Sequence, residues 1–380
     1  MSDLSKLIHP FVKRNNKDNW TRFVNPRFGF HDNDVPGVKF GTGFLVSNQI
    51  DIMETPHMHE ASSEFFVFTG ADLDNIFESE FELDFFLGDS VNTMEVYKIT
   101  KPTIVCVPPS VWHCPIYYKK VVRGTNTMIL LSAPNWGKVL NRHDENGNDE
   151  LYYESGFAKM CAKDPSINCT YCGICVSEEG KWRQTEQDFL DFLEPLYKCA
   201  PPHSGKYDKY VFELKEDYHK LGDAVMNPRA VFGGINDMDL AEHQFSFNII
   251  TQPVKLGDEE PVSNGQVAEF LWFSGTDVTD AWGSFDAEIE VMVGEDPDNM
   301  QKLTINEPAV ITIPPGMWRG SINIKRVGKP LCFIPWYPHS KKRYKITKEI
   351  AGEKTLLAYN DETTIKIPTA GDELFLQMKR

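Results

Sequence analysis

The sequence predicts an all-β protein assembled by duplication. Two observations carry this expectation, and composition supports it. First, short segments recur in the same order about two hundred residues apart: Val24-Asn25-Pro26-Arg27 returns as Met226-Asn227-Pro228-Arg229, and Glu64-Phe65-Phe66-Val67-Phe68-Thr69-Gly70 returns as Glu269-Phe270-Leu271-Trp272-Phe273-Ser274-Gly275. Pro108-Pro109-Ser110-Val111-Trp112-His113 likewise returns as Pro314-Pro315-Gly316-Met317-Trp318-Arg319. Second, apolar and charged residues alternate with the period of a strand. Phe81, Leu83 and Phe85 interleave with Glu80, Glu82 and Asp84, while Ala287, Ile289, Val291 and Val293 interleave with Asp286, Glu288 and Glu290. Both stretches read as half-buried strands whose acidic face is solvated and discourages edge pairing. With 26 Gly, 24 Pro and 25 Phe, the chain has the turn-formers and aromatic fillers that such a fold consumes.

Within the first repeat, one constellation stands out. His57 and His59 are two apart, so a strand aims both imidazoles into one space. Glu64 follows a short polar stretch able to turn the chain back, which adds a carboxylate from a neighbouring strand. His113 supplies a third imidazole from farther along. Three neutral nitrogens and a carboxylate suit a divalent transition metal such as Mn, Fe or Zn, with positions left for water or substrate.

These residues resemble the cupin superfamily. Its first motif, His-x-His followed by Glu and then Gly, is matched by His57, His59, Glu64 and Gly70; its second, Pro-x-Gly-x-x-His, by Pro108, Ser110 and His113. Three departures touch turns and walls rather than ligands: no Gly stands just ahead of His57, Ser110 replaces the second-motif Gly, and Tyr117 sits where the motif often ends in Asn. The resemblance covers most of the chain. It implies a bicupin: two tandem barrels of the double-stranded β-helix, jelly-roll type, joined by a short helical linker. The expected divisions are 20–145 for the metal-bearing barrel, 146–208 for the linker, 209–345 for the second barrel and 346–380 for an extension.

The second repeat keeps the scaffold and loses the ligands. His57 aligns with Val262, His59 with Asn264 and His113 with Arg319; only Glu64 keeps a counterpart, Glu269. One metal per chain is therefore expected, with Glu269 and Arg319 free to form an ion pair and the second barrel serving as scaffold, dimer surface or lid. In the linker, Thr185-Glu186-Gln187-Asp188 resembles a capping box, and Phe189, Leu190, Leu193 and Leu196 form a helical stripe that Pro201-Pro202 ends. Cys169, Cys172 and Cys175 have the Cys-x-x-Cys-x-x-Cys spacing. They read either as an ordinary loop with thiols or as a second, structural metal site.

The formal charge of −16 disfavours phosphate backbones and anionic membranes as partners. A polar start, no membrane-length apolar run and scattered cysteines fit a cytoplasmic protein, expected to act on a small molecule and to form a homo-oligomer. A metal with open positions would chelate a substrate carrying adjacent or 1,3-related oxygens, such as a diketone, hydroxyketone or phenol. Phe65, Phe66, Phe68, Trp112, Tyr117 and Tyr118 offer an aromatic wall, and Arg27, His31 and Tyr117 are candidates to anchor an oxygen or move a proton. Non-redox hydrolysis of the cyclohydrolase kind is the favoured expectation. An Fe(II) dioxygenase and a storage or binding bicupin are the alternatives.

Overall fold

A computed structural model describes residues 3–14, 27–30, 42–60, 62–131, 138–143, 149–154, 186–234, 237–238, 241, 243–257, 261–263, 268–338, 343–350 and 353–359. The chain divides into two compact units, Val12–Leu214 and a second formed by Met1–Phe11 with Lys215–Arg380. Each unit holds two antiparallel sheets of seven strands among the described residues.

In the unit Val12–Leu214, one sheet runs in the order Val211–Glu213, Thr103–Val107, Glu64–Gly70, Thr125–Leu131, Thr42–Ser47, Arg27–Phe30 and Val12–Arg14. The other carries Asp149–Glu154, Lys138–His143, His57–Met58, Trp112–Val121, Phe81–Gly88 and Glu95–Ile99, with Asp51–Met53 also on Trp112–Val121. One apolar core joins them: Phe66, Phe68, Val105 and Ile129 from the first sheet meet Phe81, Leu83, Phe85, Ile116 and Tyr118 from the second. Period-two burial of large apolar side chains on both inner faces is what closes such a double sheet.

The other unit repeats this plan strand for strand. Glu269–Gly275, Ala287–Gly294, Ala309–Ile313, Trp318–Val327 and Leu331–Tyr337 take the places of Glu64–Gly70, Phe81–Gly88, Thr103–Val107, Trp112–Val121 and Thr125–Leu131. Even a bulge recurs. The register of Trp112–Val121 on its neighbour slips between His113 and Ile116, and that of Trp318–Val327 slips on the strand carrying Val291 and Val293. The expectation of an all-β duplicated barrel therefore holds.

Two features were not foreseen. The strand Ile8–Pro10, at the start of the first repeat, pairs with Ala309–Ile313 and belongs to the second unit. Reciprocally Val211–Glu213, at the start of the second repeat, pairs with Thr103–Val107 of the first. The acidic face of Phe81–Gly88 also differs from expectation. Ala287–Gly294 alternates buried and half-exposed residues over most of its length, but Asp84 and Phe86 are buried as well as Phe85 and Leu87. The helix Glu186–Cys199 is the cause. Its Phe189 and Leu193 pack into a cluster with Phe86, Ile52, Met94, Trp112 and Tyr117 on the outer side of the sheet. Tyr197 of the helix donates a hydrogen bond to the Asp84 carboxylate, and the Lys119 ammonium lies 3.4 Å from it. Leu190 of the expected stripe is exposed, and Phe192 and Tyr197 pack partly against the cluster.

Candidate metal centre

His57 opens the strand His57–Met58, His59 follows it, Glu64 opens Glu64–Gly70 and His113 lies second in Trp112–Val121. Backbone pairing sets His57 directly opposite His113. The amide of Ser110 donates to the His59 carbonyl at 2.7 Å, tying the second motif's turn to the first motif. That turn needs a left-handed residue: Ser110 has φ +65°, and its counterpart Gly316 has φ +82°.

All four side chains are buried, and their donor atoms lie within 4.8 Å of one another. Glu64 Oε2 is 2.8 Å from His113 Nε2, 3.0 Å from His59 Nε2 and 3.6 Å from His57 Nε2. An ion about 2.1 Å from each donor puts neighbouring donors of an octahedron ~3.0 Å apart and opposite ones ~4.2 Å apart. The two shortest spacings, 2.8 and 3.0 Å, match neighbouring donors, and the third, 3.6 Å, lies between the two values.

Ring orientation fits too. His57 Nδ1 lies 2.7 Å from the Thr55 carbonyl oxygen, and His113 Nδ1 lies 2.9 Å from that of Val111. A carbonyl only accepts, so each Nδ1 carries the hydrogen, and each Nε2 is left to face the centre. Both carbonyls belong to the residue two positions upstream, a regularity that the motif spacing does not reveal. Burial works to raise the Glu64 carboxyl. The imidazoles of His59, His113 and His57 gathered around it outweigh burial and hold the group well below the usual carboxylate range. Burial pushes the His113 imidazole below its ordinary value, against the pull of Glu64. An ionised carboxylate and a neutral imidazole are the forms a cation needs.

The remaining candidates are placed as follows. Tyr117 is not brought to the cluster; it packs against Phe189 and Leu193 under the helix. The bulge after His113 is the reason, because it shifts the parity of the strand so that Ile116 and Tyr118 face the barrel core instead. The aromatic wall divides likewise. Phe66, Phe68 and Tyr118 line the core, with the Phe66 ring 5.9 Å from that of His113, while Trp112 sides with Tyr117 in the outer cluster. Phe65, buried in the same strand as Phe66, alternates to the opposite face. Arg27 opens the strand Arg27–Phe30; its side chain, together with His31, Cys169, Cys172, Cys175 and Asn264, lies outside the described residues. Register carries one piece of information here: Phe30 pairs with Thr42, at the end of the sheet where Glu64 pairs with Leu131, whereas Arg27 is three residues farther along.

In the second unit the same positions hold different chemistry. Val262 lies opposite Arg319 as His57 lies opposite His113. Arg319 Nε donates to Glu269 Oε1 at 3.1 Å and Oε2 at 3.0 Å, and the Tyr337 hydroxyl donates to Oε1 at 2.9 Å. The expected ion pair is present. Among the described residues, His57, His59, Glu64 and His113 are the only group with metal-ligand geometry. No helix among them is long and apolar enough to cross a membrane.

No family model matches the chain, and no curated protein matches it by sequence. Among solved structures it is similar to an oxalate decarboxylase of Bacillus subtilis, at 10% identity and a TM-score of 0.47 over 82% of this chain and 72% of that one. A second structure of that enzyme, from work on its Mn(II) centres, gives 9% identity and a TM-score of 0.48 over 88% and 76%. The Lactobacillus farciminis oxalate decarboxylase formate complex gives 12% and 0.46 over 82% and 81%. Two tandem double-sheet barrels, of which among the described residues only the first gathers a His-His-Glu-His set, are the arrangement that the resemblance to bicupins implies, and the topology bears that resemblance out.

Proposed function

We propose that the first barrel is the active centre of a metal-dependent enzyme, with one divalent cation held by His57, His59, Glu64 and His113. The observation that carries this reading is the convergence of four buried donors, two of them with their far ring nitrogens fixed on backbone carbonyls. A bound Mn, Zn or Fe ion would polarise a chelating oxygen pair or lower the pKa of its own water. The substrate class is a small oxygen-rich molecule: a cyclic or linear 1,3-diketone, a hydroxyketone or a phenol derivative.

Within the barrel, the chain supplies an apolar surround. Phe66, Leu87, Val107 and Ile129 share a core with Cys114, and Phe66 stands edge-on to His113. Such a wall excludes water and strengthens every charge interaction beside it. These residues offer no second base. His31, next after Phe30 in the sequence, is the proposed proton carrier. Arg27, three residues farther from the Glu64 level, is kept only as a candidate anchor for a substrate that reaches deeper. We favour non-redox hydrolysis of the cyclohydrolase kind, because an ion held by these four residues would supply Lewis-acid chemistry with no change of oxidation state.

Elemental analysis of the purified protein, followed by turnover of cyclic 1,3-diketones with and without oxygen, tests both levels. About one equivalent of metal and undiminished anaerobic turnover are expected. Oxygen uptake in step with substrate loss would replace hydrolysis by dioxygenation, and a metal-free protein with full activity would end the metalloenzyme reading.

A further inference from the structure

We infer that Arg319 is the residue that closes the second barrel to metal: its guanidinium takes the place proposed for the cation in the first, and it ties the strand Trp318–Val327 to Glu269–Gly275, the counterparts of the strands that carry His113 and Glu64. The inference goes beyond the proposed function and rests on it only for the comparison with the first barrel.

The two sites match at three described positions. His113 lies opposite His57 on one side and Leu87 on the other; Arg319 lies opposite Val262 and Val293. Glu64 opens the strand Glu64–Gly70, and Glu269 opens Glu269–Gly275, each paired with the last residue of the following core strand, Val107 or Ile313. In the first barrel, His113 Nε2 comes to 2.8 Å from Glu64 Oε2. In the second, Arg319 Nε reaches both oxygens of Glu269, at 3.1 and 3.0 Å, from the same strand position.

Arg319 and Glu269 are both buried. A buried carboxylate needs a cation or donors. Glu64 has three imidazoles able to share an ion with it; Glu269 has a permanent cation that cannot be deprotonated, plus the Tyr337 hydroxyl. The guanidinium is held in turn: Nη1 donates to the Gly320 carbonyl at 3.0 Å, and a side chain on Gly257, where φ is +83°, would come within 3.3 Å of that nitrogen. Three strands thereby meet at a charge that stays in place. A metal ion at this point would face a fixed positive charge and would find Val262, which has no lone pair, where His57 stands.

The consequence is that metal removal loosens one barrel and leaves the other unchanged. Hydrogen exchange read by mass spectrometry on the full chain, before and after chelation, is the experiment. Exchange in segments 57–70 and 112–121 should rise after chelation, while segments 262–275 and 318–327 should stay within about two-fold. Arg319→Met should accelerate exchange in 262–275 and 318–327 on the order of 100-fold, with or without metal, since it leaves Glu269 buried without its cation. Arg319→Lys should recover part of that loss, because an ammonium keeps the charge and loses the fork.

Cobalt(II) titration gives the second readout. The natural protein should take up about one equivalent, and a Val262→His, Arg319→His double variant should take up about two by adding two imidazoles to Glu269. Loosening of 262–275 by chelation, a second equivalent in the natural protein, or unchanged exchange in Arg319→Met would each overturn the inference. So would a double variant that folds, judged by circular dichroism, and still binds one equivalent. If the double variant does not fold, the Arg319→Met exchange result decides alone. Should the natural protein bind no metal at all, the proposed function fails, and the Arg319→Met result still decides the cross-linking role.

Discussion

Ser110 shows what a single residue contributes at this site. It stands where the cupin motif has glycine, adopts φ +65°, and still delivers its amide to the His59 carbonyl. A left-handed conformation costs a residue with a Cβ about 1 kcal/mol relative to glycine, part of which glycine gives back through its freer unfolded chain. Ser110→Gly should therefore stabilise the first unit by about 0.5 kcal/mol, seen as a higher denaturant midpoint with an unchanged slope, and should leave metal content unaltered. A loss of stability would mean that the serine hydroxyl holds the turn by a bond that outweighs the strain. The four donors themselves were legible because strand period and motif spacing alone bring them together. Tyr117 was named from its place at the end of the second motif, and the bulge between His113 and Ile116 turns it away from the cluster. A proline within a central strand was the available sign.

At the level of elements, the helix Glu186–Cys199 does more for the first barrel than its place in a linker suggests. It converts the outer face of Phe81–Gly88 from a solvated surface into a second small core around Phe86, Trp112 and Tyr117. The same strand carries Leu87, the partner of His113, so the helix braces the metal cluster from outside the barrel. Leu193 is fully buried at the centre of that contact. Leu193→Ala should cost about 2–4 kcal/mol in urea unfolding, while Leu190→Ala, on the exposed side of the same helix, should change stability by roughly 0.5 kcal/mol or less. Equal costs for the two variants would show that the helix does not pack as described. The existence of this helix was legible from its cap and stripe. Which neighbouring positions face the sheet was not, because the stripe is broad and Phe192 and Tyr197 compete with Leu190 and Leu196 for the contact. The burial of Asp84 was hidden for the same reason: it depends on an element about a hundred residues away in sequence that supplies the Tyr197 hydroxyl.

For the whole molecule, duplication explains both the symmetry and its breaking. The repeat was visible as recurring words, and the shared bulge and shared register show that it extends to backbone detail. The reciprocal placement of Ile8–Pro10 and Val211–Glu213 was not visible, because a three-residue strand carries no long-range address in its sequence and each sits at a sheet edge where only pairing defines it. That placement makes a prediction of opposite sign to the one suggested by chain order. Leu4 and Leu7 are buried in the core of the second unit with Leu271, Phe273 and Ile311, and Ile8 pairs with Ile311. Deleting residues 1–11 should therefore weaken the unit that contains Lys215–Arg380, at the opposite end of the sequence. Removing two buried leucines and an edge strand should cost about 4 kcal/mol or more. Hydrogen exchange should accelerate in the strands 269–275 and 309–313, and protection should persist in 57–70, with metal content unchanged. Faster exchange around His57 and His113 with the second unit intact would show that the N-terminal strand serves the barrel nearest to it in sequence, and the assignment of the two units would have to be redrawn.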